Sequence, residues 1–370
     1  MNQPTSEGAD TPFGRFFLPG PTEVHPDVLQ AQTRAMISHR GAGIQALMRE
    51  LDDGLQAIFL TKRHVYVSTS SATGLMEAAV RNSGGRKVLS LVNGAFSDRF
   101  ATIARTNGLD ADEYALPWGE AHDPEELRKR LATGEYGTVT VAHSETSTGV
   151  LNDIRALAQV VHEFDDVVIM VDSVSGFSAT EVRTDEWGID FLLTGAQKAL
   201  ALPPGLAFGV ASERMLARSE ESPNKGFYFD FEQFEKNADK FQTPSTPALS
   251  VMFALQVQLG RILEEGLDAR WARHAKMAER TYAWVDEMRE AGLDFSVLAP
   301  EGYRSPAVTA IRVPEDVEAP EIVKGMAERG WVIGGGYGKL KPTTFRIGHM
   351  GEHTLDELEA LLTQLTEVVR

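Results

Sequence analysis

Short apolar runs recur between residues 64 and 211, separated by stretches of helical periodicity, and this alternation constrains the fold more than any other feature. His64–Ser68, Lys87–Val92, Thr138–Ala142, Val167–Val171, Ile189–Leu193 and Leu206–Ala211 read as strands. Amphipathic segments such as Ser97–Asn107 and Asp153–Phe164 lie between several of them. A helix between two strands returns the chain to the edge where it started. The pattern therefore predicts an α/β fold with a mostly parallel sheet and helices on both faces. Sheets of this kind bind ligands at the carboxyl ends of their strands. Two of those ends carry chemistry. Val167–Val171 runs directly into Asp172, and Ile189–Thr194 runs into Gly195-Ala196-Gln197-Lys198.

A lysine at the end of a buried strand is a candidate for Schiff-base chemistry. Burial and nearby positive charge lower its pKa and make the neutral, nucleophilic amine accessible. An acid at one strand end and an amine at another suit a pyridine-ring cofactor. The amine forms the imine, and the carboxylate keeps the ring nitrogen protonated so that the ring can withdraw electrons.

The second half of the chain has another rhythm. Pro244-Ser245-Thr246-Pro247 makes a turn, and a long helical region follows from Ala248 to Ala291 with a break at Gly266. Beyond it, Val308–Val313, Trp331–Ile333 and Thr344–Ile347 read as strands, and Ala319–Arg329 and Leu355–Val368 as helices. This order predicts a smaller C-terminal α+β domain. The expected division is a flexible tail over 1–17, a large domain over 18–260, and a linker helix with the small domain over 261–370.

Composition removes several classes of function. The chain of 370 residues has a formal net charge of −17, which opposes binding to nucleic acid phosphates. It has no cysteine, so disulfides, thiolate metal sites and a catalytic thiol are excluded, in keeping with a cytoplasmic protein. No run approaches the ~18–20 apolar residues of a membrane helix. The polar start lacks the basic and apolar segments of a secretory signal.

Val171-Asp172-Ser173-Val174-Ser175 together with Thr194-Gly195-Ala196-Gln197-Lys198-Ala199-Leu200 resembles the class V branch of the fold-type I pyridoxal-phosphate aminotransferases. The alanine/serine–glyoxylate group is the most similar within it. The resemblance runs from Leu18 to the C-terminus and includes Leu18-Pro19-Gly20-Pro21-Thr22 and Phe345-Arg346-Ile347-Gly348. It implies a transaminase that carries an amino group from alanine or serine to a 2-oxo acid such as glyoxylate or pyruvate, with pyridoxal 5′-phosphate joined to Lys198 as an imine.

The same resemblance assigns roles. Lys198 forms the imine and moves the proton, and Asp172 pairs with the pyridinium. Ser71, Ala72, Thr73 and Gln197 hold the phosphate; the family usually has glycine where Ala72 stands. Phe96, in Asn93-Gly94-Ala95-Phe96-Ser97, stacks on the ring. Thr146 and Ser147, in Ser144-Glu145-Thr146-Ser147-Thr148-Gly149, offer hydroxyls to substrate and cofactor, and Arg346 binds the α-carboxylate. Gln242 and Thr243 complete the phosphate site from the other subunit of a homodimer.

Each motif also has a plain structural reading. A serine before a helix is often only an N-cap, Phe96 could be an ordinary core ring, and residues 144–149 could be a turn. Gly334-Gly335-Gly336-Tyr337-Gly338 lacks a dinucleotide fingerprint and reads as a hairpin turn. His39-Arg40 resembles the pair with which phosphoserine aminotransferases bind substrate phosphate, so phosphoserine:2-oxoglutarate transfer is the runner-up. Cysteine desulfurases are excluded because they need a cysteine. A nicotinamide-dependent α/β enzyme and a non-catalytic pyridoxal-phosphate-binding regulator stand as more distant alternatives.

Overall fold

The computed structural model describes residues 12–370. Its first strand, β1 (Phe16–Phe17), runs parallel to a strand of the C-terminal sheet, Val332–Gly335. The tail expected over 1–17 lies outside the described residues through residue 11. At its other end it is shorter than expected. Phe17 is fully buried, stacked on His353 and set against Trp331. Burial of that ring outweighs the polar residues that precede it.

The large sheet is built from β2 (Tyr66–Ser68), β3 (Val88–Val92), β4 (Ala111–Ala115) and β5 (Thr138–Ala142). A short hairpin follows, β6 (Ser144–Glu145) with β7 (Val150–Leu151). The sheet then resumes with β8 (Val168–Asp172), β9 (Phe191–Gly195) and β10 (Ala207–Ala211). Its order is β2-β10-β9-β8-β5-β3-β4. The five strands from β9 to β4 are parallel, and β10 is antiparallel to both its neighbours. β4 escapes the apolar pattern because it is an edge strand: Ala111-Asp112-Glu113-Tyr114-Ala115 buries only Tyr114. The strand order reverses between β3 and β5, and a crevice opens beyond the ends of those two strands.

Side chains alternate across the sheet. On β8, Ile169 and Val171 join the core shared with Leu55, Leu157 and Leu255. Val168 and Met170 join the opposite core with Met76, Phe100 and Met215. Asp172 continues the second set. It therefore emerges on the face covered by helices Ala72–Arg81 and Ala95–Thr106, whose N-termini open onto the crevice.

Gly266, at φ +80°, separates helices Leu249–Glu265 and Leu267–Glu290. The first buries Met252, Leu255 and Ile262 in the large core, and the second buries Trp284 and Met288 in another. That other core lies under a sheet of β11 (Ser296–Val297), β12 (Val308–Arg312), β13 (Val332–Gly335) and β14 (Thr344–Gly348), in the order β1-β13-β14-β12-β11. Helices Ala319–Glu328 and Leu355–Val369 close it. On β14, Phe345 and Ile347 point into this core. Arg346, between them, points the other way, toward the crevice of the large sheet. The glycine run forms the β13–β14 hairpin: Gly334 and Gly335 pair with Arg346 and Phe345.

Candidate active site

The parallel register of β8 and β9 aligns Asp172 with Leu193, so both strands end on the same edge and the loop after Gly195 carries Lys198 back over it. Lys198 is 8% exposed. Burial, reinforced by the Arg346 guanidinium, pushes its amine down to about 8, with Asp172 opposing. Its Nζ donates to the Pro19 carbonyl. Asp172 is 5% exposed, and burial pushes its carboxyl up to about 7. The Val174 N–H, 2.8 Å from Oδ1, and the charges of Lys198 and Arg99 act in the other direction.

The N-terminal arm walls in the lysine. Thr22 donates from its backbone to the Gln197 carbonyl at 3.0 Å and from its hydroxyl to the Lys198 carbonyl at 2.9 Å. Gly20 has φ +100°, and a Cβ there would lie 2.4 Å from Lys198 Nζ. The Leu18-Pro19-Gly20-Pro21-Thr22 motif thus has a physical reason. It leaves room for the amine and fixes its loop.

Ser71 is the N-cap of helix Ala72–Arg81, yet its side chain makes no capping bond. Its hydroxyl and the N–H groups of the first turn are donors of the kind that suit an anion. Ala72 does not have positive φ, so the backbone here has no need of glycine. Gly195 brings the parts together: a Cβ on it would lie 2.9 Å from Gln197 Oε1 and 3.2 Å from the Ala72 methyl.

The helix that carries Phe96 is held by Glu145, a fully buried acid. Its carboxylate accepts from the N–H groups of Phe96 at 3.1 Å, Ser97 at 2.9 Å and Ser147 at 3.1 Å. The Ser97 and Ser147 hydroxyls add bonds of 3.0 and 2.6 Å. Gly94 is required for this fit, since a Cβ would lie 2.3 Å from Glu145 Cγ. The Ser147 hydroxyl, expected to face a ligand, is committed to Glu145 instead. Thr146 does reach the cleft, with its hydroxyl 2.5 Å from that of Ser175.

Arg346 donates from Nε to Gly335 O at 2.8 Å and from Nη1 to Thr146 O at 3.1 Å. Burial pushes it down to about 10, against the pull of Glu145. Its remaining N–H groups have no partner among the described residues. Ser71, Ala72, Thr73, Phe96, Thr146, Asp172, Gln197 and Lys198 all line one open cleft with about 470 Å³ free of atoms.

A family model described as aminotransferase class V matches residues 26–348. The chain is a class V aminotransferase. It is 36% identical to an uncharacterized aminotransferase of Methanocaldococcus jannaschii over 91% of this chain and 87% of the relative. It is 33% identical to L-aspartate–glyoxylate aminotransferase of Paracoccus denitrificans over 92% of this chain and 87% of that protein. Among solved structures, alanine–glyoxylate aminotransferase from Nostoc sp. superposes with a TM-score of 0.90 at 28% identity, covering 99% of this chain and 98% of that one. Amino-group transfer is the reaction of the class V aminotransferase described here, and the nicotinamide alternative falls with that assignment.

The residues expected to act from the other subunit lie away from this chain's own cleft. His39 and Arg40 lie on the surface, and Arg40 Nη2 is 3.4 Å from the Pro244 carbonyl. Thr243 bonds to Ser245 O at 2.7 Å and lines a separate crevice with Val67 and Tyr228. Gln242 is tied through its N–H to Asn237 O at 3.0 Å. The pair at 39–40 and the segment at 242–244 are therefore neighbours of each other and not of Lys198. Two groups were missed in the sequence. Glu145 reads as one more polar residue in a turn. Arg99 also lines the cleft, and its only signal was the (i, i+3) spacing from Phe96.

Proposed function

We propose that this aminotransferase holds pyridoxal 5′-phosphate in the cleft and moves an amino group from a small amino acid, alanine or serine, to a 2-oxo acid such as glyoxylate or pyruvate. The juxtaposition of a buried amine at Lys198 with a buried acid at Asp172, on adjacent strand ends of one cleft, carries this reading. The donor set fits the group. A helix N-terminus with the Ser71 and Thr73 hydroxyls and the Gln197 amide suits the phosphate, Phe96 the ring face, Asp172 the ring nitrogen and Lys198 the aldehyde. When bound, the cofactor supplies an electron-withdrawing ring that takes up the electron pair of a broken Cα–H bond.

The chain's own residues do the rest. With an amine pushed down to about 8, Lys198 Nζ accepts the proton from the substrate α-carbon and returns it at the neighbouring position. Asp172 keeps a proton on the ring nitrogen by a charge-assisted hydrogen bond. Arg346 receives the α-carboxylate on its free N–H groups and so orients the Cα–H bond, a positioning contribution of the kind that sets rates. Thr146 offers its hydroxyl beside the reacting atoms. Pro19, Gly20 and Thr22 exclude water from the far side of the lysine.

The assembly in this reading is a homodimer with a site at each interface. Gln242 and Thr243 serve the partner's phosphate site, and His39-Arg40 beside them serves the partner's substrate. The reading keeps the division into residues 18–260 and 261–370, and a cytoplasmic setting. No described helix is long and apolar enough to cross a membrane. The phosphoserine reading is favoured by one observation, the contact of Arg40 with Pro244, which places a cation wherever the 242–244 segment docks. A donor screen with alanine, serine, aspartate and phosphoserine tests both. Transfer from alanine or serine supports the first. A phosphoserine preference lost in R40A replaces it with the second, and no transfer from any donor refutes both.

A further inference from the structure

The cleft holds a second guanidinium group that the transamination chemistry does not use. Arg99 comes from helix Ala95–Thr106 of the large domain, and Arg346 from β14 of the small one. Tyr337 lies between them. Arg99 Nη2 donates to the Tyr337 hydroxyl at 3.2 Å, and Arg346 Cζ is 5.6 Å from the Tyr337 ring centroid. Arg99 Cζ is also 4.9 Å from the centroid of Phe96, whose ring is 5.2 Å from that of Tyr337. Two aromatic rings thus hold the planar group in place.

The acids nearby are already engaged. The Glu145 carboxylate is surrounded by the donors of Phe96, Ser97 and Ser147. Asp172 takes the Val174 N–H and faces Lys198. Among the described residues neither Arg99 nor Arg346 forms an ion pair, and Arg99 makes no hydrogen bond besides that to Tyr337. Two partly buried cations without a counter-ion are costly unless an anion arrives from outside. A guanidinium whose fork is left open is the complement of a carboxylate.

We propose that Arg99 binds a second, distal carboxylate, so that one half-reaction prefers a dicarboxylic amino acid or 2-oxo acid. This rests on the reading above, in which Arg346 takes the α-carboxylate, and it narrows the substrate beyond alanine and serine. A methyl or hydroxymethyl side chain leaves Arg99 unpaired, whereas an acidic one pairs both guanidinium groups at once. Held on Phe96 and pinned by Tyr337, Arg99 loses little further freedom on binding, which favours discrimination.

The test compares succinate with propionate, unreactive acids that differ by one carboxylate, for binding to the cofactor-loaded enzyme by calorimetry. Wild type is expected to bind succinate ~10- to 100-fold more tightly, the worth of a charged hydrogen-bonded contact. R99Q is expected to abolish that ratio, with R99K intermediate, and the kcat/KM ratio of aspartate to alanine is expected to fall in parallel. Equal binding of the two acids by wild type overturns the proposal, as does an R99Q enzyme that still discriminates. R99Q that weakens both acids equally while losing cofactor also overturns it, because Arg99 then serves the cofactor. An enzyme that discriminates through Arg99 but transfers no amino group from any donor leaves the distal carboxylate site standing while refuting the proposed function and the half-reaction built on it, so the two failures are distinguishable.

Discussion

The Thr22 hydroxyl donates a 2.9 Å hydrogen bond to the carbonyl of Lys198, 176 residues away in sequence. With the Thr22 N–H bonded to Gln197 O, the N-terminal arm fixes the loop that carries the amine. Gly20, in the same arm, packs its backbone against the lysine side chain. The lysine is therefore defined by the sheet on one side and by the arm on the other.

G20A tests the arm. The new methyl would lie 2.4 Å from Nζ at a residue with φ +100°, so the lysine or the arm must move. Displacement of a reacting group by about 1 Å costs ~100-fold in rate. The expected kcat of G20A is lower by that order while its far-UV circular dichroism matches wild type. Unchanged kcat would show that the arm does not shape the site.

The cofactor-free protein should show a pH signature at Asp172. Burial raises its carboxyl from 3.8 to about 7, so between those values the folded chain binds more protons than the unfolded one. Stability from this group is present at low pH and is lost as pH rises through about 7. D172N removes the penalty. Denaturant unfolding should find D172N more stable than wild type by up to about 4 kcal/mol at alkaline pH, with the gap closing toward acid. A constant gap would refute this account.

Glu145 is expected to hold Phe96 in place. In E145Q one oxygen becomes a donor facing other donors, at a site where the native carboxylate accepts from Phe96, Ser97 and Ser147. The loss is expected to be about 2–3 kcal/mol of stability, from charged hydrogen bonds. Loosened cofactor should accompany it, seen as faster dissociation on dialysis. E145Q with wild-type Tm and retention would contradict the role.

Much of this was legible in the sequence because β3, β5, β8 and β9 are buried on both faces and read as short runs rich in β-branched and apolar residues. Asp172 and Lys198 stood out as polar residues that end such runs. β4 was hidden, since an edge strand with Asp112 and Glu113 has no apolar signature. The charged helices Glu213–Glu221 and Phe231–Ala238 escaped for a similar reason: few of their residues are buried. Arg99 gains its meaning only from Tyr337, brought to it from 238 residues away by the fold. Ser147 was misjudged because local sequence does not tell which neighbour claims a hydroxyl.

Arg346 can be tested by splitting kinetic constants. R346Q keeps a polar, hydrogen-bonding side chain but offers no charged fork to a carboxylate. The expected outcome is a KM for the amino acid raised ~10-fold or more, the loss of a charged hydrogen-bonded pair. A reduced kcat with unchanged KM would point to a structural role at Thr146 instead.

The central claim is a covalent attachment at Lys198, and the most direct measurement is borohydride reduction of the cofactor-loaded protein followed by peptide mass mapping. The account predicts one pyridoxyl label per chain, on the peptide containing Gly195-Ala196-Gln197-Lys198, and none in K198A. A label on a different lysine, or an unlabelled wild-type protein that still transfers amino groups, would contradict it.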